Sequence, residues 1–326
     1  MSFKNIKGQD NIISKIKKIA LNDIFSSIIF YGEEGIGKLK TAIELAKATS
    51  CQKRQDSQLF EGESTKEEDI DSCDLCSNCL QIEKRIHPDI RIIDYQYQAN
   101  ILDEEIEKQK TIKIDTIRQA TQFAYQKNYI LSKKFLIIDN ANTLTIEAQN
   151  SLLKLLEEPP KNTFIILIAN NLNLLLPTII SRSIALKFNP LKKEILKEIL
   201  LKNSVESHIA DFLSDISNGS VKKAMDYQEI LSTFYEKKTQ KNILPFIFHS
   251  SSGAQTYELR NKAKILADFL IAVIKREKLS ENNIKTIKNI EGYVKYLNQN
   301  ISPRPLIELM IHDFLKTDIK LYKELA

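Results

Sequence analysis

Along the first 190 residues, short apolar runs recur between polar stretches, at positions 27–31, 90–93, 134–139, 164–169 and 184–188. Most are apolar at consecutive positions instead of alternate ones, the pattern of parallel strands covered by helices on both faces. Helical periodicity lies between them at about 41–49, 114–126 and 145–158. In the last of these, Thr145 is placed to cap the N-terminus and Glu147 falls in the first turn. Leu152, Leu153, Leu155 and Leu156 form an apolar stripe, and Pro159-Pro160 ends the helix. Beyond about residue 190 the pattern is helical, at 191–202 and 207–216, with Asn218-Gly219 as a stop signal. After a looser stretch at 245–253, Leu259, Ala263, Leu266, Leu270 and Val273 recur at three- and four-residue steps. A final stripe of Leu306, Leu309, Met310, Asp313 and Phe314 follows Pro303 and Pro305. The pattern predicts an α/β nucleotide-binding architecture followed by helices.

The first apolar run leads directly into Gly32-Glu33-Glu34-Gly35-Ile36-Gly37-Lys38-Leu39. This fits the phosphate-loop spacing G-x-x-x-x-G-K-[ST] except at its last place, and the strand–loop–helix context is the one the motif requires. Gly32, Gly35 and Gly37 let backbone N–H groups converge on phosphate oxygens, and Lys38 reaches the outer phosphates. Leu39 lacks the hydroxyl that would hold magnesium. A second nucleotide signal is Phe135-Leu136-Ile137-Ile138-Asp139, an apolar strand ending in the acid that supports the metal shell in P-loop ATPases. It is followed by Asn140, and an amide cannot accept a proton from water as a glutamate would. The two breaks point the same way, toward holding phosphate without hydrolysing it.

The four cysteines are Cys51, Cys73, Cys76 and Cys79. The C-x2-C-x2-C packing of the last three is better read as thiolate ligands than as disulfides in a reducing compartment. Four sulfurs suit a closed, tetrahedral structural zinc, with Cys51 as the fourth ligand; an iron–sulfur cluster or plain reduced thiols are the alternatives. Residues 52–72 between them are acidic and without periodicity, and read as a flexible excursion. Their acidity argues against a zinc-dependent nucleic-acid binder, which would need a basic, aromatic surface there.

Composition alters this picture little. The 326 residues are 43% hydrophobic and 27% charged, as expected of a soluble chain of two or three domains. No apolar run is long enough to span a bilayer and no leader is evident, so a cytoplasmic location is expected. The net charge of +5 lies toward the C-terminal third, a surplus too mild to define a nucleic-acid surface.

The stretch Ala148-Gln149-Asn150-Ser151-Leu152-Leu153-Lys154-Leu155-Leu156-Glu157-Glu158-Pro159-Pro160, then Phe164-Ile165-Ile166-Leu167 and Thr178-Ile179-Ile180-Ser181-Arg182-Ser183, resembles the bacterial DNA polymerase III clamp-loader family of AAA+ ATPases. Gly8-Gln9, the cysteines after the phosphate loop, His87-Pro88-Asp89 and Gly219-Ser220-Val221-Lys222-Lys223-Ala224-Met225 fit the same family. The resemblance covers about residues 3–230 with specific motifs, and the remainder more loosely.

It implies an α/β P-loop AAA+ domain, a parallel sheet flanked by helices, over 1–188, with a four-cysteine zinc module at 51–79. A small helical lid at 189–232 and an all-α oligomerisation collar at 233–326 complete the expectation. Within the family the eroded motifs resemble the stator subunit, not the motor subunit gamma/tau; a gamma/tau-like motor ATPase is the alternative. Ser181-Arg182 is similar to the family's Ser-Arg-Cys motif, with Ser183 replacing Cys, which implies that Arg182 is an arginine finger acting in trans. Lys222 stands where the family has a nucleotide-sensing Arg, and Asn170 or Asn171 is placed either as a first polar sensor or as an ordinary turn asparagine. The implied partners are gamma/tau and delta clamp-loader subunits, the sliding clamp, and primed DNA within the DNA polymerase III holoenzyme. The chain's own phosphate loop would hold ATP or ADP weakly or stay empty.

Overall fold

The computed structural model describes residues 2–22, 27–53, 70–106, 109–235, 256–277, 280–299, 301–317 and 319. Most of the acidic excursion and the loose stretch at 245–253 lie outside the described residues. The chain forms two compact units, Met1–Pro190 and Leu191–Ala326.

The first unit contains five parallel strands: β1 (Ser27–Tyr31), β2 (Ile90–Ile93), β3 (Lys134–Ile138), β4 (Thr163–Ala169) and β5 (Ile184–Lys187), in the order β2-β3-β4-β1-β5. Register pairs Ser27 with Ile165 and Tyr31 with Ala169, and on the other side Ile28 with Ile184. The consecutive apolar residues sort by pleat. Ile28, Phe30, Phe135, Ile137, Phe164, Ile166 and Ile168 enter one buried cluster, whereas Ile29, Leu136, Ile138, Ile165 and Leu167 enter the other. Helices α1 (Asp10–Asn22) and α2 (Lys38–Ser50) contribute to the first cluster. The second is built with α5 (Ile114–Tyr125) and α6 (Ile146–Glu157). Each of these buried Ile or Phe side chains stabilises the unit by roughly 1.5–3 kcal/mol relative to exposure.

Thr145 caps α6 by accepting the Ala148 N–H. Leu152, Leu155 and Leu156 are buried, and Leu153 packs half-buried against the same cluster. Among the described residues, this unit also has short helices α3 (Ser77–Glu83), α4 (Tyr95–Leu102) and α7 (Pro177–Ile180). Gln9 is buried, and its side-chain amide donates to the Asn189 carbonyl at 2.7 Å, tying the start of the unit to its end.

The second unit is helical: α8 (Lys193–Lys202), α9 (Ser207–Ile216), α10 (Val221–Tyr235), α11 (Thr256–Arg276), α12 (Glu281–Leu297) and α13 (Pro303–Leu315). Asn218 and Gly219 both adopt positive φ between α9 and α10, as the stop signal requires. One hydrophobic cluster runs from Leu191 to Phe314, and the α11 stripe lies entirely within it. The Tyr227 and Phe269 rings meet at 5.4 Å, so α10 packs directly on α11. In α13, Leu306, Met310, Asp313 and Phe314 are buried, but Leu309, expected on that stripe, is 43% exposed. Asp313 is sheltered by donors from α12, Asn289 Nδ2 and Tyr293 Oη, both at 2.9 Å. Among the described residues, no helix is long and apolar enough to cross a membrane.

Candidate functional site

The loop from Gly32 to Gly37 follows the C-terminal end of β1, where open parallel sheets bind ligands. Gly32, Gly35 and Gly37 all have positive φ. At Gly32 a Cβ would also come within 2.4 Å of the Phe188 carbonyl oxygen, so glycine is required there twice over. Lys38, buried at the first turn of α2, sends Nζ back to the Gly32 carbonyl at 2.6 Å, the Glu33 carbonyl at 2.5 Å and Asn170 Oδ1 at 3.1 Å. Burial pulls its pKa down to about 8, against the opposing influence of Asp139, Glu34 and Glu33.

Leu39 is half-buried against the first core cluster and offers nothing to a metal. The nearby Thr41 hydroxyl does not replace it, being fully buried and donating to the Gly37 carbonyl at 2.8 Å. Asp139 is half-buried beyond β3, and burial raises its pKa even though the Asn140 N–H donates to Oδ1 at 2.9 Å. Asn140 has φ 53°, a left-handed backbone that asparagine tolerates better than glutamate. Asn142 Oδ1 accepts the Asn170 N–H at 3.2 Å, and Asn170 in turn meets Lys38. Of the two asparagines, Asn170 therefore joins the loop, whereas Asn171 accepts the Asn173 N–H to open a short 3-10 turn.

Arg182 follows α7, at the opposite edge of the sheet. The Ser27 hydroxyl, at the start of β1, donates to the Arg182 carbonyl at 2.6 Å, and its oxygen accepts from the Ser183 hydroxyl at 3.1 Å. Serine in place of the family's cysteine thus makes a hydroxyl–hydroxyl bond, which a thiol would make only weakly. Nη1 of Arg182 donates to the Thr178 carbonyl at 3.0 Å and Ser181 Oγ at 3.4 Å, and Nη2 pairs with Glu157 Oε1 at 2.7 Å. The Glu157 contact was missed in the sequence because 25 positions separate the two residues and no periodicity links them. Lys222 lies in the second unit, in the first turn of α10.

Cys51 follows α2, Cys76 caps α3 and Cys79 lies within α3. The four sulfurs of Cys51, Cys73, Cys76 and Cys79 lie within 4.8 Å of one another and could hold a metal ion. A tetrahedron of about 2.3 Å metal–sulfur bonds has edges of about 3.8 Å, so little movement would close the shell. Burial raises the Cys79 thiol, whereas the backbone N–H groups of Leu75 and Cys76 outweigh burial at Cys73 and draw it down to about 6. Beneath the cysteines, fully buried Lys47 binds Glu44 at 3.2 Å, Asp74 at 2.5 Å and Glu83 at 2.9 Å, pinning the module to α2. His87-Pro88-Asp89 is structural: buried Asp89 accepts the N–H groups of Tyr129, Ile130 and Leu131 at 2.7, 2.7 and 2.8 Å.

A phosphate loop, an acidic strand tip and a polar asparagine on a five-stranded parallel sheet, followed by helices, define a P-loop AAA+ protein. The family model described as "DNA polymerase III, delta subunit" matches residues 8–192. The chain is also 32% identical over 253 residues to DNA polymerase III subunit delta' of Bacillus subtilis, covering 76% of this chain and 68% of that one. It therefore belongs to the DNA polymerase III delta-subunit family. DNA polymerase III subunit gamma of Buchnera aphidicola from Schizaphis graminum is 30% identical over 70% of this chain, which spans 58% of that relative's length. The crystal structure of a DNA polymerase III gamma subunit-related protein from Thermotoga maritima shares the fold, with a TM-score of 0.51 at 15% identity. That match covers 93% of this chain and 98% of the other.

Proposed function

We propose that this chain acts as a delta-prime-type stator of the DNA polymerase III clamp loader, in the cytoplasm. It presents Arg182 to ATP bound on a neighbouring gamma/tau subunit. With the delta subunit, that assembly places the sliding clamp on primed DNA. The observation that carries this reading is the separation of Arg182 from the chain's own phosphate loop by the length of β1. Ser27 holds the Arg182 backbone at one end of the strand, and Gly32 follows the other. Five residues at about 3.3 Å each put roughly 16 Å between the two edges. An arginine anchored there serves a nucleotide outside its own loop, and a guanidinium supplied in trans stabilises charge on a transferring phosphoryl group.

Leu39 and Asn140 support the absence of turnover in the chain's own site, leaving ATP or ADP weakly held or excluded. Residues 189–232 would serve as the lid, with Lys222 in the position of the family's nucleotide-sensing arginine, and 233–326 as the oligomerisation collar. The four cysteines hold a structural zinc, whose chemistry is to cross-link α2 to α3.

The resemblance to gamma subunits, together with the retention of Lys38 and Asp139, favours one second reading, a motor ATPase. ATP turnover with clamp and primed DNA separates the two. The stator reading expects none from the chain alone and Arg182-dependent turnover when gamma/tau is added. Robust turnover by the chain alone, abolished by Lys38→Ala, would make it a motor.

A further inference from the structure

We infer that Glu157 is a positioning residue that holds the Arg182 guanidinium in the orientation in which it is delivered to a neighbouring subunit's nucleoside triphosphate; this rests on the proposed role of Arg182. The contact joins two anchored supports. Glu157 is the last residue of α6, behind the buried pair Leu155 and Leu156 and ahead of Pro159-Pro160. Arg182 leaves α7, whose first residue is Pro177, with its carbonyl held by Ser27 at 2.6 Å. Between these supports the guanidinium meets three acceptors: Glu157 Oε1 at 2.7 Å, the Thr178 carbonyl at 3.0 Å and Ser181 Oγ at 3.4 Å.

A half-exposed ion pair adds little to fold stability. Its effect lies in geometry. An arginine side chain has many rotamers, and an unheld one at an interface must be ordered at the moment of reaction. A guanidinium has five N–H donors in a fixed fork, so engagement of Nη1 by two acceptors and of Nη2 by one leaves two N–H groups for phosphoryl oxygens. The carboxylate acts through the arginine and touches neither substrate nor metal.

The test uses the assembled complex with motor subunit, clamp and primed DNA, comparing Glu157→Ala, Glu157→Gln, Arg182→Ala and the double variant. Glu157→Ala should lower kcat roughly tenfold with KM for ATP changed less than about twofold, because misorientation affects the transition state and not nucleotide binding on the neighbour. Glu157→Gln, which keeps an acceptor of the same shape, should recover part of that loss. The double variant should be no slower than Arg182→Ala, as residues acting through one group are not additive. Wild-type kcat in Glu157→Ala beside a defective Arg182→Ala would overturn the role of Glu157 and leave the finger standing. A loss in the double variant beyond that of Arg182→Ala would likewise overturn it. Wild-type turnover in Arg182→Ala would overturn the finger itself.

Discussion

Lys38 and Asn170 meet at 3.1 Å across 132 positions of sequence, joining the phosphate loop after β1 to the tip of β4. The same ammonium also holds the Gly32 and Glu33 carbonyls. The lysine that would bind outer phosphates is thus engaged by the loop's own acceptors, with Glu33 and Glu34 exposed beside it. Any nucleotide must replace these bonds.

Because burial pulls Lys38 down to about 8, its charge is present below that pH and lost above it. Any ATP affinity should therefore be level through neutral pH and fall by up to about tenfold per unit as the pH rises beyond this range. Calorimetric titration with ATP on either side of pH 8 checks this. Affinity that is unchanged through the range would mean that Lys38 is not a phosphate ligand.

Leu39→Thr restores the missing hydroxyl at a cost of about 1 kcal/mol of stability, since Leu39 is half-buried against the core. Magnesium-dependent ATP binding should strengthen, but turnover should not appear, because Asn140 cannot activate water. Adding Asn140→Glu places glutamate at φ 53° and should cost a further 1–2 kcal/mol or about that. Turnover in Leu39→Thr alone would contradict this account of the second break.

The four-cysteine cluster predicts one zinc per chain by elemental analysis of metal-replete protein. Chelation, or Cys79→Ser, should lower Tm by roughly 5 °C or more in a thermal unfolding scan. Lys47→Met should weaken metal retention, because Glu44, Asp74 and Glu83 lose their shared cation. A chain that binds no zinc under any reducing condition would remove the metal assignment.

Asp89 is held below its ordinary pKa of 3.8: burial opposes this, but the amides of Leu131, Tyr129 and Ile130 and the nearby His87 prevail. A depressed carboxylate stabilises the fold fully above its unfolded pKa and loses that contribution as pH falls through the folded value. Asp89→Ala, which leaves three N–H groups without their acceptor, the Leu131 one buried, should cost about 2 kcal/mol in urea unfolding at neutral pH. The difference between variant and wild type should shrink below about pH 4; a pH-independent difference would show that the charge is not what matters.

The strands, the phosphate loop, the Thr145 cap and the Asn218-Gly219 stop were legible because each depends on a few neighbouring residues: a pleat, a left-handed glycine, a side chain reaching its own helix turn. The α11 stripe was legible for the same reason, since a 3.6-residue period defines one face whatever covers it. Helical spacing could not tell that Leu309 lies at the margin of its face, because the width of the buried stripe is set by neighbouring helices. Nor could it choose between Asn170 and Asn171, adjacent residues of which one meets Lys38 and Asn142 and the other caps a 3-10 turn once β4 lies in register beside β1. The cysteine spacing marked a candidate ligand set; bringing Cys51 to the other three depends on packing α2 against α3. The placement of Arg182 at the edge remote from Gly32, and its meeting with Glu157, follow from strand order and from where two helices end. Local sequence determines backbone conformation and periodicity through short-range sterics and hydrogen bonding, whereas contacts between distant positions arise only once sheet register and helix packing bring their supports together.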